Sequence, residues 1–240
     1  MQIEGLSWFP GHMTKTKRMI VAEIKNMDAV CEILDARIPL SSRNPDVDEM
    51  TAGKPRMVVL NRMDQADPKE TKRWAAYFRG KGYAVLEANA KGGMGTEQFA
   101  AAVRELLKDK LAAYAEKGQV GRTVRVMVLG IPNVGKSTFI NKVAHRKTAK
   151  AEDRPGVTRS KQWVPVDRTL ELLDTPGILW PKFDDVEVGK RLAFTGAIKD
   201  DVMDIEELAC YLMEYLGKHY AEILTERYKI EVEEADTGYD

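Results

Sequence analysis

The sequence predicts an α/β fold: a three-layer phosphate-loop NTPase architecture with a mostly parallel sheet, followed by a small C-terminal helical domain. Three observations carry this. Residues 28–117 alternate short apolar runs with helix-compatible stretches, the pattern of a parallel sheet covered on both faces. Gly130-Ile131-Pro132-Asn133-Val134-Gly135-Lys136-Ser137 fits G-x-x-x-x-G-K-[ST], with a strand-like run before it and a helix-compatible stretch after it. From Val186 onward strand signals stop and the chain reads as helical.

In chain order, Ser7-Trp8-Phe9-Pro10-Gly11 closes an extended arm with two aromatic anchors. His12 to Met27 reads as an amphipathic helix with Met19, Ile20, Ala22, Ile24 and Met27 mostly toward one face. Asp28 to Asp35 is a strand, and Ile38 to Pro45 a proline-punctuated loop. A second strand, Pro55 to Leu60, runs directly into Asn61-Arg62-Met63-Asp64. A helix from Lys69 to Arg79 and a strand from Tyr83 to Glu87 follow, then the loop Asn89-Ala90-Lys91-Gly92-Gly93. Thr96 to Lys117 reads as one helix, Val124 to Leu129 as a buried strand, and Thr138 to Ala144 as the helix after the glycine loop. Gln162 to Val166 and Thr169 to Leu173 form a hairpin turned at Asp167-Arg168, ending in Asp174-Thr175-Pro176-Gly177. Helices are then expected over Val186–Ile198, Met203–Leu216 and Tyr220–Tyr228. The domain division is 1–27, an arm and helix; 28–183, the nucleotide domain; and 184–240, the helical domain.

A hydrophobic content of 44% with 31% charged residues suits a soluble globular protein able to bury a core. Basic and acidic residues balance at 37 each, so net charge does not argue for nucleic acid. Their distribution is uneven: Lys142 to Lys161 is basic and Glu222 to Asp240 acidic. The basic stretch is either a solvated face or an RNA contact. Cys31 and Cys210 lie far apart in apolar surroundings, without metal-ligand spacing, as buried thiols of a reducing compartment do. No apolar run reaches membrane-spanning length and no secretory core is evident, so a cytoplasmic protein without a membrane partner is expected, and a monomer.

The glycine loop has a mechanism behind its residue types. Glycines permit backbone angles and close approach that a side chain would block. The N–H groups at the helix start point at phosphate, aided by the helix dipole. Asn133, Val134, Gly135, Lys136, Ser137 and Thr138 are the expected phosphate-side contacts, with Lys136 reaching the β- and γ-phosphates and the Ser137 hydroxyl on Mg²⁺.

The base is read elsewhere. Asn61-Arg62-Met63-Asp64 resembles the guanine motif Asn-Lys-x-Asp, in which Asp64 accepts from guanine N1 and N2 and Asn61 meets the N7 side. Adenine lacks those two donors and would leave the carboxylate unpaired. Asn89-Ala90-Lys91 resembles the Ser-Ala-Lys element, placing the Ala90 N–H at guanine O6. Both loops follow predicted strands, and Asp174-Thr175-Pro176-Gly177 completes the set. The guanine motifs precede the phosphate loop, the reverse of the ordinary order. Residues 28–180 therefore resemble a circularly permuted GTPase domain, since a parallel sheet with rejoined ends reassembles the same site. Trp8-Phe9-Pro10-Gly11-His12-Met13, Asp35-Ala36-Arg37-Ile38-Pro39 and Phe194-Thr195-Gly196-Ala197-Ile198-Lys199 narrow the resemblance to the ribosome-assembly branch, the ribosome biogenesis GTPase A family.

That resemblance implies GTP/GDP as ligand, Mg²⁺ as cofactor, and the large ribosomal subunit, rRNA and proteins, as partner. It implies Thr158 as the switch threonine on Mg²⁺, Asp174 on the metal's water shell and the Gly177 N–H at the γ-phosphate. Ile178 stands where many GTPases carry a water-orienting glutamine. His12 is the candidate replacement, the other role open to it being to cap or pack the first helix. Asn133 either helps hold K⁺ near the phosphates or bonds within its loop. Two departures stand out: Arg62 replaces lysine, with a planar head that packs differently, and the chain stops at Asp240 where family members continue through a longer RNA-associated helical domain. Three functions follow: a GTP-hydrolysing switch in large-subunit assembly, a nucleotide-dependent RNA-binding module with incidental hydrolysis, and a small-molecule kinase. The first accounts for most of the motifs, and the kinase for fewest.

Overall fold

In the computed structural model of the chain, β1 (Ala29–Asp35) is buried along its whole length and lies inside a six-stranded sheet. The structure describes residues 11–145, 161–180, 185–198, 204–232 and 237–238. Two compact units divide the chain, one within Phe9–Lys182 and one within Phe183–Asp240.

In the larger unit β2 (Arg56–Asn61) and β4 (Val124–Leu129) flank β1 in parallel. β3 (Ala84–Ala88) continues the sheet beyond β2, and β6 (Leu170–Asp174) beyond β4. The order is β3-β2-β1-β4-β6-β5, with β5 (Gln162–Pro165) antiparallel on the edge, so the predicted hairpin is present. Burial on both faces explains why these strands read as near-continuous apolar runs. The chain winds outward in opposite directions from β1 and β4, so the crevice at their carboxyl ends is the switch point where ligands bind in such sheets. Register brings the functional loops there: Asp35 lies beside Asn61, and Asn61 beside Ala88.

Strand alternation sends Val30 and Leu34 to one face. There α1 (Gly11–Glu23), extended by a 3₁₀ turn to Asn26, buries Ile20 with Met27, Met127, Leu129, Leu173 and Ile178. Val47 and Met50 of α2 (Asp46–Met50), in a stretch to which the sequence assigned no element, join the same cluster. On that face α3 (Pro68–Gly80) packs Ala75 and Phe78 against Leu34, Val58 and Leu60. Asp67 caps α3 by accepting from the Lys69 and Glu70 N–H groups, with Pro68 at its first position.

The single helix expected over Thr96–Lys117 is broken. A 3₁₀ turn covers Thr96–Gln98, then α4 (Phe99–Leu106) and α5 (Lys108–Glu116) meet at Leu107, whose φ of −106° and ψ of 12° interrupt the helix. Leu107 is itself buried, whereas α5 buries none of its residues. Beyond the break α5 has no apolar stripe, and its Lys110 and Tyr114 reach the buried Asp28, just before β1, at 2.8 and 3.4 Å. Phe99 of α4 stacks edge-on against Phe139 of α6 (Lys136–Val143), ring centroids 5.3 Å apart.

In the smaller unit, α7 (Val186–Phe194) ends four residues before the predicted Ile198, at a turn whose Gly196 has φ of 71°. The two later helices expected from sequence form one stretch, α8 (Ile205–Tyr228), broken at Tyr220 by φ −144° and ψ 36°. Lys190 of α7 sits 3.7 Å from the Tyr211 ring centroid of α8. Both cysteines are free and buried, and among the described residues no helix is long and apolar enough to cross a membrane.

Candidate nucleotide-binding site

The glycine loop joins β4 to α6 and begins the site. Gly135 precedes α6 with φ of 96°, and a Cβ there would lie 2.4 Å from the Asn61 side-chain nitrogen. Only glycine combines that angle with that approach. Lys136, in the first turn of α6, is buried and donates to the Ile131 carbonyl at 2.8 Å, curling over its own loop. Burial pushes its ammonium down to about 8, opposed by the charge of Asp174. A buried cation held by a neutral carbonyl is a group arranged to receive an anion.

Asp174 ends β6 and is 1% exposed. Its Oδ2 accepts from Ser137 Oγ at 3.3 Å, while its Oδ1 has no hydrogen-bond partner among the described residues. Burial raises this carboxyl above its ordinary value, against the pull of Lys136, Ser137 and the Thr175 N–H. An orphaned carboxylate oxygen beside a hydroxyl at a phosphate loop is the oxygen-donor chemistry that Mg²⁺ takes when phosphates complete its shell. The residues present therefore fit the metal. Thr175 is buried and ties the same loop to β4, donating to Val128 O at 2.7 Å.

Gly177 sits against the glycine loop: a Cβ there would fall 2.7 Å from Pro132 Cα and 3.1 Å from Lys136 Nζ. Its neighbour Ile178 donates its N–H to Gly130 O at 3.2 Å and buries its side chain in the cluster that holds Ile20 of α1.

Asn61 is buried at the centre of the base side. It donates to Val134 O at 2.9 Å and accepts from the Ala90 N–H at 3.0 Å, fastening the glycine loop and the Asn89-Ala90-Lys91 loop to β2. A guanine O6 would have to share the Ala90 N–H with Asn61. The Asn89 side chain accepts from the Gly92 N–H at 2.8 Å and so shapes its own loop. Asp64 follows in an exposed 3₁₀ turn. Arg62 adopts the left-handed region (φ 63°, ψ 32°) and donates to Asn133 O at 2.7 Å. Asn133, also left-handed with φ of 56°, is partly buried in the glycine loop, and Val134 is fully buried. Thr138 is half-buried in the first turn of α6.

Two predicted residues cannot be set into the site. His12 falls in the first turn of α1, where the backbone alone is described, and Thr158 lies outside the described residues. Other residues of the site escaped the sequence reading. The buried Asp35 receives the Arg37 N–H at 3.0 Å, its Nε at 2.9 Å and its Nη2 at 2.7 Å, and lies 3.8 Å from Arg62 Nε. The buried Asn44 reaches the Ile178 carbonyl. Asp35-Ala36-Arg37-Ile38-Pro39 was noticed in the sequence as a family mark; Asp35 pairs with Arg37 two positions on, while its approach to Arg62 depends on the pairing of β1 with β2.

A loop with a guanine-type motif, a phosphate loop and an Asp-x-x-Gly loop, gathered at the carboxyl ends of one sheet in that chain order, define a circularly permuted phosphate-loop GTPase. Known proteins share the arrangement. Residues 125–233 match the 50S ribosome-binding GTPase family. The chain is 51% identical over 225 residues to ribosome biogenesis GTPase A of Bacillus cereus, a match covering 94% of this chain and 76% of that protein. It is 38% identical to mitochondrial ribosome-associated GTPase 1 of Mus musculus, over 88% of this chain and 67% of that one. Among solved structures it resembles GNP-bound YlqF from T. maritima, with a TM-score of 0.59 and 25% identity over 92% of this chain and 79% of that one. The GDP-bound form of TM YlqF gives a TM-score of 0.57 at 27% identity, over 87% of this chain and 82% of that one. The chain belongs to the ribosome biogenesis GTPase A family.

Proposed function

We propose that this GTPase acts as a switch in assembly of the large ribosomal subunit, working in the cytoplasm, with residues 28–183 as its GTPase domain and 184–240 as its helical domain. The observation that carries the reading is the joining of Lys136, Ser137, Asp174 and Gly177 to the guanine loop through Asn61. The names of its relatives, ribosome biogenesis GTPase A and a 50S ribosome-binding family, support the partner.

The reaction is attack of water on the GTP γ-phosphorus, with GDP leaving. Asp64 selects guanine, Arg62 and Asn61 brace the base loop against the phosphate loop, and Lys136 neutralises charge on the transferring group. Ser137 and Thr158, with Asp174 in support, would hold Mg²⁺, which supplies charge neutralisation between the phosphates. The Gly177 N–H reads the γ-phosphate, so hydrolysis releases its loop.

Ile178 buries its side chain and presents no polar group to water. The water-orienting group in this reading is His12, at the start of the helix whose Ile20 packs in the cluster of Ile178. Asn133 contributes to a K⁺ site beside the phosphates, and hydrolysis should run faster in KCl than in NaCl; equal rates would remove that role.

The deciding experiment measures GTP hydrolysis with purified large subunits, small subunits and neither. Large subunits should accelerate turnover about tenfold or more, some 1.4 kcal/mol off the barrier. His12→Ala should abolish most of that gain with GTP affinity nearly intact. Normal GTP binding without stimulation by large subunits would leave a binding module whose hydrolysis is incidental.

A further inference from the structure

The segment between β1 and β2 is held more firmly than a connecting loop requires. Ser42, fully buried, accepts from the Asp35 N–H at 2.9 Å and donates to Pro39 O at 3.1 Å. Arg43 reaches the buried Glu32 at 3.5 Å, pairs with Asp48 and donates to Tyr83 OH at 3.2 Å. Arg56 donates to Val47 O at 3.1 Å and pairs with Asp48. These anchors fix Asn44, which is 1% exposed. The Asn44 side chain accepts from the Asp46 N–H at 2.9 Å and donates to the Ile178 carbonyl at 3.3 Å, across 134 positions of chain.

Ile178 is therefore gripped twice. Its N–H goes to Gly130 O of the phosphate loop at 3.2 Å and its C=O to Asn44. The residue before it is Gly177, packed against Pro132. We propose that Asn44 is a positioning residue for GTP hydrolysis: by holding the Ile178 carbonyl, while the Ile178 N–H is held by Gly130, it fixes the backbone just after Gly177 and so keeps the Gly177 N–H, two peptide units back, where it meets the terminal phosphate. This rests on the proposed role of Gly177. Asn44 is buried with both ends of its amide on backbone groups, and it supports a contact that only the terminal phosphate can make. Its loss should therefore separate GTP from GDP.

The test uses the full chain and fluorescent GDP and non-hydrolysable GTP analogues. Asn44→Asp keeps the acceptor for the Asp46 N–H but turns the donor toward Ile178 into an acceptor. The GTP analogue should bind about tenfold more weakly and kcat should fall about tenfold, with GDP affinity within about twofold of wild type as the sign that the variant is folded. Asn44→Ala should shift the GTP-to-GDP affinity ratio in the same direction. An unchanged ratio in a folded variant, or equal loss of both nucleotides, would overturn the proposal. Wild-type protein that bound GDP and the GTP analogue alike would instead refute the reading of Gly177 on which it rests.

Discussion

At the scale of single residues, one buried amide does most to join the two halves of the nucleotide site. Asn61 has its oxygen on the Ala90 N–H and its nitrogen on Val134 O. Asn61→Ala leaves both buried groups unpaired, at a cost of about 1–3 kcal/mol each when no water replaces the partner. Because it loosens base loop and phosphate loop together, GTP and GDP affinities should fall alike, by tenfold or more. Parallel titrations of the two nucleotides check this. Resemblance to the Asn-Lys-x-Asp motif pointed to Asn61 and Asp64 as base readers. It could not show that Asn61 braces two loops, since those partners are 29 and 73 positions away. Arg62 is comparable: the substitution for lysine was visible, while its bond to Asn133 O and its approach to Asp35 depend on where β1 and β4 lie.

At the scale of elements, β1 carries an ionisable group through the middle of the sheet. Glu32 is 1% exposed, with Arg43 at 3.5 Å and Arg56 at 3.7 Å. Burial raises its carboxyl from the usual 4.5 to about 7, outweighing the two arginines, with Asp48 adding to the rise. A raised carboxyl binds its proton more tightly in the folded chain than in the unfolded one. The stability this gives is complete below the unfolded value of 4.5 and is lost as pH rises through about 7. Glu32→Gln, permanently neutral, should flatten the decline in unfolding free energy between about pH 5 and 8, by on the order of 2 kcal/mol. Urea unfolding of both proteins at the two pH values measures it, and parallel slopes would refute it. A charge within an otherwise apolar strand could be read from the sequence, but its arginine partners could not. The break at Leu107 was also hidden. Propensity runs unbroken through Thr96–Lys117, and the buried face Phe99, Val103 and Leu107 keeps helical spacing right up to the break, so no local pattern marks it.

At the scale of the whole molecule, chain order and spatial order part company. β1, β2 and β3 carry the base side and come first, while β4 and β6 carry the phosphate side and come later, yet pairing of β1 with β4 restores one site. If the proposed partner is ribosomal RNA and the basic stretch from Lys142 to Lys161 meets its phosphates, association should weaken steeply with salt. Sedimentation with large subunits should lose about tenfold or more in affinity between roughly 50 and 200 mM KCl. Binding indifferent to salt would place the contact elsewhere.

The sequence by itself determined the fold class, the motif set and their permuted order, because glycine loops and strand runs act over a few neighbouring positions. It also named the residues that the proposed function uses to read guanine and phosphate. Tertiary structure alone decided how those residues are held: Asn61 between two loops, Asp174 with an orphaned oxygen beside Ser137, Asn44 on the carbonyl of Ile178. Each of these contacts joins positions that a parallel sheet brings side by side, and strand register sets them, which no local pattern records.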